Sequence, residues 1–259
     1  MKPRDQISAA IRNATARGRP ALVGFLTAGF PNRRQFNDHL AAVASVCDVV
    51  EIGVPFSDPM ADGTTIQRAS FVALADGVTL PWILQQTRAL AKPRAPILLM
   101  SYLNPLLQHG LDKLPRDAAE AGVAGFIVPD LPYEESADLQ AALDREGLAL
   151  VQMVTPVTPP ERLEMLCRSA QGFVYAVTMT GTTGKSTAVP DGVLEYMDRV
   201  KRCSAVPVCA GFGIRSREQV ARFAPHVDGV VVGSALVDAH HRGGAGAAAA
   251  LVASLRAAL

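Results

Sequence analysis

The chain has 259 residues, with 25 Lys and Arg against 24 Asp and Glu, a formal net charge of +1. That balance excludes the basic excess by which proteins hold nucleic acid or an anionic membrane surface. A content of 49% hydrophobic and 19% charged residues excludes a disordered chain, and α/β barrels of about 250 residues commonly form one domain.

Residues 1–20 are polar and Arg-rich with no apolar h-region, so no signal peptide is expected. A transit peptide would share this composition. Ile7, Ala10, Ile11 and Ala14 fall at helical spacing, however, and predict a short amphipathic helix covering one end of a core. Eight short apolar runs follow, beginning near Ala21, Val49, Ile97, Gly125, Leu148, Phe173, Val206 and Gly229. They are apolar on both faces and no two-residue hairpin turn joins them, which predicts buried parallel strands. Helix-period segments lie between them, among them 33–45, 134–146, 160–169, 193–201 and 217–223. Thr158-Pro159-Pro160 and Ser216 with an acid at Glu218 read as helix starts, and 61–94 holds two helical stretches. The Ala-rich segment 245–259 is too short and, with Arg256, too polar to span a bilayer.

Eight strand–helix alternations predict an α/β chain folded as a single (β/α)8 TIM barrel with an extra N-terminal helix, one domain over 1–259. A doubly wound open sheet alternates in the same way, but no strand-to-helix turn carries GxGxxG. Cys47, Cys167, Cys203 and Cys209 show no CxxC spacing, which removes zinc ribbons and thioredoxin-like pairs. Counting alone leaves disulfides open. The simplest setting is the reducing cytoplasm.

In a barrel, chemistry sits on the loops after the strands. Glu51 lies in Val49-Val50-Glu51-Ile52, a strand too apolar for a casual carboxylate. It is either paired with an Arg or backbone N–H, or a proton-transfer group at the barrel mouth. Asp62 closes the loop Gly53-Val54-Pro55-Phe56-Ser57-Asp58-Pro59-Met60-Ala61-Asp62. It either caps a helix starting near Thr64 or joins Glu51 in acid–base chemistry. Gly181-Thr182-Thr183-Gly184 after the sixth strand, Gly211-Phe212-Gly213 after the seventh and Gly233-Ser234 after the eighth are turns or, together, a phosphate cradle of open backbone N–H groups.

Gly184-Lys185-Ser186 mimics the end of a P-loop, but Met179 stands where the first Gly would be. The lysines, at 2, 92, 113, 185 and 201, avoid the strand candidates, which disfavours a Schiff-base aldolase. His39, His109, His226, His240 and His241 lack metal-ligand spacing, so no metal site is expected. No GxSxG elbow is present.

The stretch from Glu51 to Gly63 closely resembles the hallmark of the tryptophan synthase α subunit family. The similarity continues through Leu26-Thr27-Ala28-Gly29, Asn104-Pro105, Val128-Pro129-Asp130-Leu131-Pro132, Gly211-Phe212-Gly213-Ile214 and Gly233-Ser234-Ala235. The resemblance implies retro-aldol cleavage of indole-3-glycerol phosphate to indole and glyceraldehyde 3-phosphate. It implies no cofactor in this chain and a pyridoxal-phosphate-dependent β subunit as partner, in an α2β2 assembly. It further implies that Glu51 moves protons between the glycerol hydroxyl and indole C3, that Asp62 holds the indole N–H, and that Tyr175 supports them. Gly184, Gly213, Gly233 and Ser234 would bind the phosphate, with Thr183, Phe212 and Tyr102 as further substrate-binding residues and Asp58, Asn104 and Pro132 at the partner interface.

Two departures from the family pattern stand out. Thr64 replaces the usual Pro, and the loop Met179-Thr180-Gly181-Thr182-Thr183-Gly184-Lys185 lacks the commoner Val before the threonine matched by Thr183. Both bear on activation by the partner more than on the reaction. Other readings are an α-like subunit that only activates the β subunit, a barrel acting on another phosphorylated compound, and a stand-alone indole producer.

Overall fold

The computed structural model describes residues 1–90, 93–178, 192–211 and 213–256. Eight strands, β1 (Ala21–Thr27), β2 (Val49–Gly53), β3 (Ile97–Met100), β4 (Val123–Ile127), β5 (Ala149–Val154), β6 (Val174–Val177), β7 (Val208–Gly211) and β8 (Gly229–Val232), close into a barrel in sequence order. Every neighbouring pair is parallel. The helices are α1 (Pro3–Thr15), α2 (Phe36–Val46), α3 (Thr64–Ala75), α4 (Leu80–Ala89), α5 (Leu103–His109), α6 (Leu114–Glu120), α7 (Ala137–Glu146), α8 (Pro160–Ser169), α9 (Val193–Cys203), α10 (Arg217–Phe223) and α11 (Ser234–Arg256). This is the expected (β/α)8 barrel with its extra N-terminal helix.

Local chemistry explains where boundaries depart from the expected ones. β4 opens two residues before Gly125, because that glycine is where β5 comes closest: a Cβ there would lie 2.6 Å from the Ala149 Cβ. β7 begins only at Val208, after Pro207, which has no N–H to give to the ladder. The segment 33–45 divides into a 3₁₀ turn, Arg33–Gln35, and α2; the Asn32 side chain accepts the Arg34 N–H at its start. The start of 134–146 is likewise a 3₁₀ turn, Tyr133–Glu135, and α7 ends on Gly147 in the left-handed conformation (φ 68°). Thr158 does not cap α8. Pro159 holds that place, while the Thr158 hydroxyl accepts the Thr155 N–H. Ser216 does cap α10, in a reciprocal box with Gln219.

Two large apolar layers result, beside a smaller cluster of Phe25, Phe30, Ile66, Ala69 and Val237. The outer one lies between the strands and the helix ring; the inner one fills the barrel. On β2 the period of two sends Val50 and Ile52 to the helices, and Val49 to the interior. Ile7, Ile11 and Ala14 of α1 join the inner layer beside Ala21, Val49, Ala149 and Phe173, all at strand N-termini, so α1 plugs the N-terminal opening; Ala10 is half-buried. That leaves the opposite mouth for chemistry.

All four cysteines are free thiols, so the disulfides that counting permitted do not form. Among the described residues no helix is long and apolar enough to cross a membrane.

Candidate active site

Glu51 and Asp48 lie three residues apart but in opposite circumstances. Asp48, just before β2, accepts two hydrogen bonds from Arg19 at 2.8 Å and one from the Leu22 N–H at 2.9 Å, with Arg256 also paired to it. Burial alone would push its carboxyl up; these partners outweigh burial and hold it below the usual range. Glu51 continues the inward side of β2 and is 1% exposed. Its neighbours in register are Phe25 and Leu98, and its Oε2 has no hydrogen-bond partner among the described residues. Among the described residues that oxygen has neither the Arg nor the backbone N–H that the paired reading of Glu51 calls for. Burial, reinforced by the charge of Asp62, pushes its pKa up to about 8, so the carboxyl holds a proton at neutral pH.

Asp62 arrives on the β2–α3 loop. It does not cap α3: Gly63 holds that place with no side-chain cap bond. Instead the Tyr102 hydroxyl donates to Asp62 Oδ2 at 3.3 Å and accepts the Ala61 N–H at 2.9 Å. Tyr102 is stacked on Phe56, with ring centroids 5.1 Å apart. The loop is thus clamped from behind, and the other face of the carboxyl stays free for the cleft. Burial raises Asp62 to about 6 despite the opposing Tyr102 hydrogen bond. Two acids at one mouth, one protonated and one ionised near pH 7, form an acid–base pair set by environment.

Tyr175, on β6, is 4% exposed. Burial first, then the charge of Glu51, raises its phenol well above the ordinary value, which places it in the same electrostatic neighbourhood. The hydroxyl end of its ring packs against Gly211 of β7, where a Cβ would fall 2.3 Å from Cε1 and 2.4 Å from the hydroxyl oxygen. Only glycine leaves that space.

One cleft takes in Glu51, Asp62, Tyr175, Gly213, Gly233 and Ser234. Its glycine rim carries the means to hold an anion. Gly213 has φ 89°, a conformation that presents backbone rather than side chain. α11 starts at Ser234 with no acidic residue in its first turn, and the first N–H groups of a helix have no intrahelical partners. Among the described residues, no three side chains of His, Cys, Asp or Glu converge as metal ligands would.

A family model described as tryptophan synthase alpha chain matches residues 11–257. The tryptophan synthase alpha chain of Solidesulfovibrio magneticus is 48% identical over 240 residues, covering 92% of this chain and 93% of that protein. That of Nitratidesulfovibrio vulgaris (strain DP4) is 46% identical, covering 88% and 89%. A solved structure of Mycobacterium tuberculosis tryptophan synthase superposes with a TM-score of 0.90 at 38% identity, covering 97% of each chain.

The chain belongs to the tryptophan synthase alpha chain family. It is a carbon–carbon lyase that cleaves indole-3-glycerol phosphate to indole and glyceraldehyde 3-phosphate, with a β subunit as the partner that takes the indole.

Several of the expected residues lie away from the cleft wall. Tyr102 stands behind Asp62 rather than among the lining residues. Asp58, Asn104 and Pro132 are exposed, on the loops and helix that follow β2, β3 and β4. Thr183, Gly184 and Phe212 lie outside the described residues, as does the 179–185 departure; Thr64 is the exposed first residue of α3. Sequence reasoning missed Phe25, Ile66, Met100, Val231 and Arg215, all of which line the cleft. The first four are apolar residues in apolar elements and gave no signal that would separate them from core. Arg215 had one: a cation two residues after the second glycine of Gly211-Phe212-Gly213.

Proposed function

We propose that Glu51 is the proton carrier and Asp62 the fixed anion of this cleavage. In this reading the protonated Glu51 gives its proton to indole C3, forming an indoleninium whose positive nitrogen faces Asp62. The glycerol hydroxyl beside the ring then gives its proton to the Glu51 carboxylate. The carbon–carbon bond electrons return to the ring nitrogen, and the new carbonyl leaves as glyceraldehyde 3-phosphate. The observation that carries this is the pair of raised carboxyls in one cleft, about 8 and about 6, with Glu51 Oε2 unpartnered among the described residues. Tyr175 supports Glu51, and Gly213, Gly233 and Ser234 hold the phosphate.

The phosphate is remote from the reacting bond, so its binding positions the indole rather than changing the chemistry. Gly213→Val should raise the Michaelis constant at least ~10-fold, the worth of one charge-assisted hydrogen bond. The variant's positive φ would be strained for any branched residue. An unchanged Michaelis constant would remove Gly213 from the phosphate site.

The proposal extends to a chain working as one domain and pairing with a β subunit as α2β2, with pyridoxal phosphate in that subunit and none in this chain. The support is a groove between the β2–α3 loop and α5, lined by Phe56, Ser57, Asn104, Pro105 and Leu107, with Leu107 49% exposed. Asp58 and Met60 stand exposed on the same loop. The test is indole release by the purified chain, alone and with a β subunit, alongside the mass of the complex by light scattering. Slow release alone, faster release with the β subunit and an α2β2 mass are expected. Absence of indole release in both would overturn the catalytic assignment, and release without any complex would leave a stand-alone producer.

A further inference from the structure

Arg215 is the only basic side chain lining the cleft among the described residues. Its backbone is pinned, because the N–H of Arg215 donates to Gln219 Oε1 at 2.8 Å, and the same oxygen accepts the Ser216 N–H in the box that caps α10. From that anchor the side chain lies beside the glycine rim of the cleft, toward α11. There it meets Asp238, one turn beyond Ser234, with Nη1 to Oδ2 at 3.6 Å. That is an ion pair too long for a hydrogen bond. Asp238 is shared, its other oxygen lying 3.7 Å from Arg68. The Arg215 Nε is buried and has no hydrogen-bond partner among the described residues. The two cleft carboxyls do not complete it, for the shifts of Glu51 and Asp62 come from burial, from Asp62 acting on Glu51, and from Tyr102.

The guanidinium therefore has a buried donor with no partner among the described residues, a loose ion pair, and a side chain still 36% exposed, so it has hydrogen bonds to give. An anion with several acceptor oxygens, placed between Gly213 and the start of α11, would satisfy it in the geometry at which arginine excels. We infer that Arg215 is a further binding residue for the phosphate of the substrate, adding a charged side chain to a cradle otherwise built of backbone N–H groups and Ser234. The inference rests on the phosphate placement proposed above. Asp238 holds the guanidinium near the rim, and its distance leaves the donors available.

The test compares two competitive inhibitors of indole release, glycerol 3-phosphate, which has the phosphate and no ring, and indolepropanol, which has the ring and no phosphate. In Arg215→Gln the inhibition constant for glycerol 3-phosphate should rise ~10-fold or more, as for loss of a charge-assisted hydrogen bond. That for indolepropanol should stay within about twofold, and Arg215→Lys should restore part of the loss. An unchanged glycerol 3-phosphate constant in both variants overturns the role of Arg215 while leaving the phosphate site standing. Equal weakening of both inhibitors also overturns it, since a distorted cleft would do the same. Failure of glycerol 3-phosphate to compete in the wild-type enzyme would instead sink the phosphate placement, and Arg215 with it.

Discussion

Glu51→Gln should lower the turnover number for indole release by at least ~10²-fold, the low end for removing a general acid–base. The amide keeps the size and the buried site but can neither give a proton to C3 nor take one from the hydroxyl. Purified, folded variant with near-wild-type turnover would eliminate Glu51 from that role. In the wild type the rate should fall as pH rises through about 8, where the raised Glu51 carboxyl loses its proton. The same shift makes a stability prediction of definite sign. A carboxyl whose folded-state pKa lies above its ordinary value of 4.5 adds stability that is complete below about pH 4.5 and is lost as pH rises to about 8. The non-titrating Gln lacks this loss. The melting temperature of the wild type should therefore fall relative to Glu51→Gln between pH 5 and pH 8 and level off above, by up to about 5 kcal/mol in stability. A constant difference across that range would mean that Glu51 is not held neutral.

Asp62→Asn should cost ~10²-fold in turnover, the scale for deleting one preorganised electrostatic partner of a developing charge. Near pH 7 the wild-type carboxyl is ionised, so the indoleninium nitrogen meets a full negative charge; the amide offers only a dipole. Acidification through about 6 should produce the same loss in the wild type by protonating Asp62. The acid limb of the rate profile should then vanish in Asp62→Asn. Because the charge of Asp62 helps hold Glu51 up, the alkaline limb should move to lower pH in the variant. An acid limb that persists in Asp62→Asn would assign it to another group. The Tyr102 clamp keeps the loop in place in either form, since its hydroxyl also accepts the Ala61 N–H.

Several features could be read along the chain because their causes are local. Ser216 and Gln219 carry the capping box within one turn. Ile7, Ile11 and Ala14 show α1's buried stripe in their spacing alone. The apolar strands with no hairpin turns between them led to the parallel barrel, and Glu51 stood out as the one acid in such a strand. The misreadings and omissions share a non-local origin. Thr158 has a capping residue's chemistry, but its hydroxyl is taken by Thr155 across a turn. Gly125 looked like a strand start, yet it is an interior strand residue whose missing side chain admits β5. Phe25, Ile66, Met100 and Val231 line the cleft only because elements distant in sequence converge there.

Read by itself, the sequence determined the alternation of strands and helices and the barrel class, and it singled out Glu51, Asp62, Gly213 and Gly233, because periodicity, caps and composition act over a few residues. Only the tertiary structure decided what those groups are. Barrel closure buried Glu51 with its Oε2 unpartnered among the described residues, while Asp48, three positions away, drew Arg19 and Arg256 from distant parts of the chain. Folding also put Tyr102 behind Asp62 and Arg215 beside the start of α11. A carboxyl's proton affinity depends on the dielectric and charges within a few ångströms, and those are supplied by residues the chain brings together only when it folds.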